Sequence, residues 1–216
     1  MVPVSAGALI LPGVTGGGFA DNIVRQADGA GIGAAGRATT IDEIYETLAS
    51  TETGAKLLPR ATRYGRPETG FNEALGVGNW GEYLKGPNKI GLNPVYRTLP
   101  PEFGAAALAH ELVHRQRRLI KTTIGEEILA HRIEGRVWGE LQERALSKIG
   151  SELTVSQQAV LRSHNQILRL TTSQDAGALL RHLGSIPNYA RLPIIGTNFL
   201  HPKNNREINW IKKWGR

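Results

Sequence analysis

Two histidines and a glutamate lie in the middle of an apolar run, ALAHELVH, at residues 107–114. Two prolines precede this run at 100–101, where a helix tolerates proline in its first turn, so we predict a helix over residues 101–119. On a helix, residues four apart lie on one face, so His110 and His114 can direct two imidazole nitrogens to one point. Unpaired polar groups are rare on a buried helix, because burying each one without a hydrogen-bond partner costs several kcal/mol. These side chains therefore need partners, and a metal ion would be one.

The spacing of the three polar residues predicts a zinc site. Zinc accepts histidine nitrogens at about 2.0–2.1 Å. Glu111 follows the first histidine, which turns it away from the ligand face but leaves it near a water on the metal. Zinc lowers the pKa of such a water to about 7, and a neighbouring carboxylate can accept its proton. The H-E-x-x-H spacing therefore predicts Zn²⁺ bound by His110 and His114, with Glu111 as the catalytic base.

A catalytic zinc ion needs a third protein ligand and an open coordination position. We expect Gly125 to separate the first helix from a second one over residues 126–149. The second helix carries Glu127, His131 and Glu134 on one face, and Glu126 is a fourth candidate. The residues alone leave the choice among these four open.

The sequence HELVH, followed by EEILAHRIEGRVW, resembles the small gluzincin-type zinc metallopeptidases. It is especially similar to metallopeptidase effector domains of bacterial polymorphic toxins and secretion-system proteins, whose helix end and edge strand match GAKLL and KIGLNPVY here. The resemblance covers residues 40–146. It implies a mostly helical, zincin-like α+β fold, and it implies Glu127, three residues before Ala130, as the third ligand. Leu129 and His131 depart from the family, which commonly has an acid and an aromatic residue around this motif.

The same resemblance gives the segment KIGLN, residues 89–93, the role of an edge strand beside which a peptide substrate could add. Tyr96 follows this strand and could donate a hydrogen bond to the oxyanion of the reaction. The alternative, which we favour, is that Tyr96 only packs in the core. Residues 65–88 are rich in glycine, asparagine and proline, and we expect a long loop there.

The chain divides into three predicted regions. Residues 1–38 are rich in glycine and read as a flexible segment or linker. Residues 39–150 would form the metallopeptidase core, and residues 151–216 a basic, helical extension packed on it. We interpret His164, His182 and His201 as surface or core residues without a role in the site.

Composition limits the partners. The chain has no cysteine, which excludes disulfides and cysteine-ligated metals. The net charge is +7, but no nucleic-acid-binding module accompanies it, so nucleic acid is an unlikely partner. No apolar run is long enough to span a membrane.

We expect a zinc endopeptidase that acts on a protein or peptide, secreted or injected by a bacterium and countered by an immunity or inhibitor protein. A cytoplasmic location, a zinc-containing regulatory protein without turnover and a DNA-associated protease are the alternatives.

Overall fold

The computed structural model describes residues 37–116, 123–173, 177–186, 189 and 192. This part of the chain contains six α-helices, a short 3-10 helix and one three-stranded sheet, so the coarse prediction of a mostly helical α+β chain is confirmed. The helices are α1 (Ile41–Ala49), α2 (Glu52–Ala61), α3 (Pro101–Gln116), α4 (Ile124–Leu146), α5 (Val155–Thr172) and α6 (Ala178–Gly184). The strands are β1 (Glu68–Phe71), β2 (Gly81–Leu84) and β3 (Lys89–Leu92), and the 3-10 helix is Pro94–Thr98.

Helix α3 is the centre of the fold. Every residue from Glu102 to Arg115 is buried, because α1, α2, α4 and the sheet all pack against this helix. Glycine and alanine fill most of its first two turns and leave room for these neighbours to approach closely. A helix enclosed on every side has little amphipathic pattern, and this explains why HELVH lies in an apolar run.

Helix α4 begins earlier than the sequence suggested. The hydroxyl of Thr123 accepts a hydrogen bond from the backbone N–H of Glu126 at 3.1 Å and caps the helix. Gly125 therefore lies inside the first turn, and the prediction that it separates the two helices is wrong. The helix also ends at Leu146 rather than at residue 149. Residues 117–119, the predicted end of α3, lie outside the described residues.

The sheet corrects two predictions. Its strand order is β1-β3-β2, with β3 parallel to β1 and antiparallel to β2. KIGLN therefore forms the central strand, and the prediction of an edge strand there is wrong, because both of its sides are already paired. The predicted loop at 65–88 contains β1 and β2. These strands have four residues each, too few for a clear local pattern, and form through pairing with β3. Strand β2 packs against α3.

Helices α5 and α6 pack against α4. They contribute Val160, Ile167 and Leu183 to the same hydrophobic core as Trp138 and Leu108. The proposed boundary at residue 150 stays a prediction, and residues 1–36 and 193–216, including His201, lie outside the described residues. Within the described ranges, no helix is long and apolar enough to cross a membrane.

The contact between α1 and α3 gives a test of the packing. A Cβ atom at Gly104 would lie 2.5 Å from Cδ1 of Ile44. We expect Gly104→Ala to lower the free energy of unfolding by about 1–3 kcal/mol. Adding Ile44→Val removes that methyl group, so the double variant should lose less stability than the sum of the single variants. Urea denaturation measures all three.

Gly86→Ala is the matched control. Gly86 is exposed, and an added Cβ would meet no atom within 4 Å, so its stability should change by less than about 0.5 kcal/mol. A neutral Gly104→Ala, or strictly additive effects with Ile44→Val, would contradict this packing.

Candidate metal centre

Three buried side chains from α3 and α4 converge on one point. The Nε2 atoms of His110 and His114 lie 3.1 Å apart. Oε2 of Glu127 lies 3.7 Å from the first nitrogen and 3.6 Å from the second. The circle through these three atoms has a radius of about 2.0 Å, which equals the usual Zn–N and Zn–O bond lengths. These residues could therefore hold a metal ion.

Two further glutamates orient the histidines. Nδ1 of His114 lies 2.7 Å from Oε1 of Glu126, and Nδ1 of His110 lies 3.1 Å from Oε2 of Glu134. When Nδ1 carries the proton, each ring donates to its carboxylate and presents the Nε2 lone pair to the shared point. This carboxylate–histidine arrangement is typical of metal sites. Of the four candidate ligands, Glu126 and Glu134 thus lie behind the histidines, and Glu127 lies beside the shared point.

The Glu127 carboxylate supports a bound cation. It is fully buried, and neither of its oxygens has a hydrogen-bond partner among the described residues. An ionised carboxylate without a partner is among the most costly groups to bury. Within the described ranges, its ion pairs and those of Glu126 and Glu134 are all with histidines. A divalent cation would offset this concentration of acidic groups, so the residues present fit a metal.

A second trio is less suited to an ion. His110, His131 and Glu134 also bring ligand atoms together, and Nδ1 of His131 lies 2.9 Å from Oε2 of Glu134. That carboxylate oxygen already accepts from both rings, so an ion would have to displace existing hydrogen bonds. Glu127 accepts no such hydrogen bond from the described residues, which favours the first trio.

Glu111 lies between α3 and β2. A Cβ atom at Gly81 would lie 2.9 Å from its Oε1, so the glycine that opens β2 allows the carboxylate to pack against the strand. Its Oε2 has no hydrogen-bond partner in the described part of the chain. Burial raises the pKa of Glu111 to about 7, with His110 and His114 opposing the rise. A carboxyl group with a pKa near neutrality suits proton transfer at neutral pH.

Burial and neighbouring charges together determine the direction of the pKa shifts of other histidines and glutamates in the site. Burial opposes charge on His110 and His114, but neighbouring carboxylates outweigh it and raise the pKa of both imidazoles. For His131, burial and the nearby His110 lower the pKa. Burial alone would raise the pKa of Glu127 and Glu134, but the histidines around them lower both. Without an ion, imidazole–carboxylate pairs therefore hold these side chains together. We call them the metal-centre cluster: His110, His114, His131, Glu126, Glu127 and Glu134.

Two tyrosines face the cluster. Tyr96 is fully buried in the 3-10 helix after β3, and burial followed by the charges of Glu134 and Glu111 raises its pKa well above the ordinary value. Tyr189 is also buried, with its ring edge-on to His131 at 6.2 Å between centroids. Burial and the same acidic residues, together with Glu127, raise its pKa. Neither hydroxyl has a hydrogen-bond partner among the described residues.

Sequence reasoning missed Tyr189 and the position of His164. Nδ1 of His164 lies 3.0 Å from Oε1 of Glu134, and its ring stacks on Trp138 at 5.1 Å. It is a fully buried core residue, one of the two positions expected for it, but it also contacts the metal-centre cluster. Glu134 thus bonds to histidines from α3, α4 and α5. His182 is half-buried on α6.

A small cavity adjoins the cluster and offers about 20 Å³ to the centre of a water-sized sphere. One water molecule needs about 10–15 Å³ on this measure. The cavity is lined by Trp80, Gly81, Ala107, His110, Glu111, His131, Glu134 and Ser163.

No protein-family model, curated protein or solved structure matches this chain.

The carboxylates behind the histidines give a test of the centre. We expect Glu126→Gln and Glu134→Gln each to lower zinc affinity by about 10–100-fold, because the amide no longer fixes the donating tautomer of its histidine. Competition with a chelator of known affinity measures the change. Glu143→Gln, an exposed position on the same helix, is the matched control. Affinities within about threefold of wild type for both buried variants would contradict the arrangement.

Proposed function

We propose that this chain is a zinc-dependent endopeptidase with a zincin-like fold. The observation that carries the proposal is the convergence of His110, His114 and the Glu127 carboxylate, which accepts no hydrogen bond from the described residues, with Glu111 on the adjacent face of the same helix. The resemblance of HELVH and the following helix to gluzincin-type metallopeptidases supports it.

The roles follow from chemistry. A zinc ion held by His110, His114 and Glu127 would supply Lewis acidity, which polarises a peptide carbonyl and makes water more acidic. The Glu111 carboxylate accepts the proton of the attacking water and passes it to the leaving amine. The high pKa values of Tyr96 and Tyr189 keep both phenols protonated, so either hydroxyl can donate to the negative oxygen that develops in the transition state.

The biological setting rests on the family resemblance. We propose a bacterial effector or toxin domain that is secreted or injected and that an immunity protein neutralises. If this setting is correct, wild type should arrest the growth of the cell that produces it. The Glu111→Gln variant should not.

Burial favours a second candidate function. His110, His114 and Glu127 are each no more than 4% exposed, which also suits a metal that holds helices together in a binding protein without turnover. Peptide cleavage separates this candidate from the enzyme.

We expect Glu111→Gln to keep about one zinc per chain and to lose about 10²–10⁴-fold in cleavage rate, because the amide cannot act as a base. A proteome-derived peptide library, analysed by mass spectrometry, measures cleavage even though the natural substrate is unidentified. Glu143→Gln serves as the control and should cleave at the wild-type rate.

Equal cleavage by Glu111→Gln and wild type would contradict the mechanism, and zinc retention without any cleavage would favour the binding protein. Tyr96→Phe and Tyr189→Phe in the same assay show which tyrosine donates to the transition state. The variant that lacks the donating hydroxyl should cleave about 10²–10³-fold more slowly with an unchanged zinc content.

A further inference from the structure

The cavity beside the metal centre lies on the Glu111 side of the site. Neither His114 nor Glu127 lines it. Besides four residues of the metal centre, its lining contains Ala107, one helical turn before His110, Trp80 just before β2, Gly81 at the start of β2 and Ser163 on α5. A group in this cavity would lie next to Glu111 and His110 without occupying the point that His110, His114 and Glu127 share.

Two buried polar groups of the lining have no hydrogen-bond partner in the described part of the chain. Ser163 is 1% exposed and Trp80 is 6% exposed. Neither Oγ of Ser163 nor Nε1 of Trp80 has a hydrogen-bond partner among the described residues. Leaving such a group unsatisfied costs about 1–3 kcal/mol. The indole N–H needs an acceptor, and the serine hydroxyl can both donate and accept. These groups suit a small ligand that carries a hydroxyl group.

The size of the cavity limits that ligand. Its volume of about 20 Å³ corresponds to little more than one water molecule. Alanine at 107 and glycine at 81 leave this space, and Trp80 closes one side. A hydroxymethyl group is of this size, whereas a leucine or phenylalanine side chain would have to force the walls apart, which costs about 1–3 kcal/mol or more.

The direction of proton transfer indicates which substrate residue lies beside the cavity. The amine that accepts a proton from Glu111 belongs to the first residue of the C-terminal product. That residue is attached to the nitrogen that Glu111 protonates, and Glu111 lines the cavity. We propose that the cavity between β2 and α5 selects substrates with a small residue at this position, serine before alanine or glycine, through Trp80 and Ser163. This inference rests on the proposed endopeptidase function.

The test is a cleavage-site profile of the zinc-loaded full chain on a proteome-derived peptide library. We expect serine, alanine and glycine to dominate the new N-termini, with serine preferred over alanine by about tenfold, since a hydrogen-bonding site discriminates against analogues that lack the group. Leucine and phenylalanine should be depleted by at least about tenfold, because the pocket excludes them.

Ser163→Ala should reduce the preference for serine over alanine by about threefold or more, because one hydrogen-bond partner is gone. Ser156→Ala, the same change in the first turn of α5 and outside the cavity, should leave the profile unchanged. Ser163→Thr keeps the hydroxyl and narrows the cavity, so its preference should move from serine towards glycine. Zinc content and thermal melting confirm that each variant is folded.

A wild-type preference for large side chains, or a Ser163→Ala profile equal to that of wild type, would overturn this inference and leave the endopeptidase proposal standing. Absence of any cleavage by the zinc-loaded chain would overturn both.

Discussion

The structure depends on the burial of several carboxylates beside imidazoles. Glu111, Glu126, Glu127 and Glu134 are all nearly inaccessible to solvent, and burying an ionised carboxylate without compensation costs several kcal/mol. Hydrogen bonds from histidines compensate Glu126 and Glu134, but the oxygens of Glu127 receive none from the described residues. A cation at the shared point of His110, His114 and Glu127 would resolve this imbalance. Helices α3, α4 and α5 supply the histidines and glutamates around that point.

The small residues of the chain allow that enclosure. Gly104 lets α1 approach the first turns of α3, and Gly81 lets β2 approach Glu111. The same closeness leaves a water-sized cavity next to Glu111. Tight packing thus has two effects, because it brings the candidate metal ligands together and also keeps the space beside Glu111 small.

Local spacing explains what the sequence could predict. The helical period alone brings His110 and His114 together, so that part of the site was readable from HELVH. The choice among Glu126, Glu127 and Glu134 depends on where α4 begins, which the Thr123 cap determines, and only the family resemblance favoured Glu127. Two features could not be read from local sequence. Strand β2 is stabilised by pairing, and the contacts of His164 and Tyr189 join segments far apart in the chain.

Elemental analysis of zinc in wild type, Glu127→Ala and His131→Ala, each purified without added metal and then reconstituted, tests the central claim most directly. Wild type and His131→Ala should each hold about one zinc per chain, and Glu127→Ala should lose most of it, because a structural or catalytic zinc needs at least three protein ligands. Zinc kept by Glu127→Ala but lost from His131→Ala would move the ion to the trio of His110, His131 and Glu134. No zinc in reconstituted wild type would contradict a metal centre altogether.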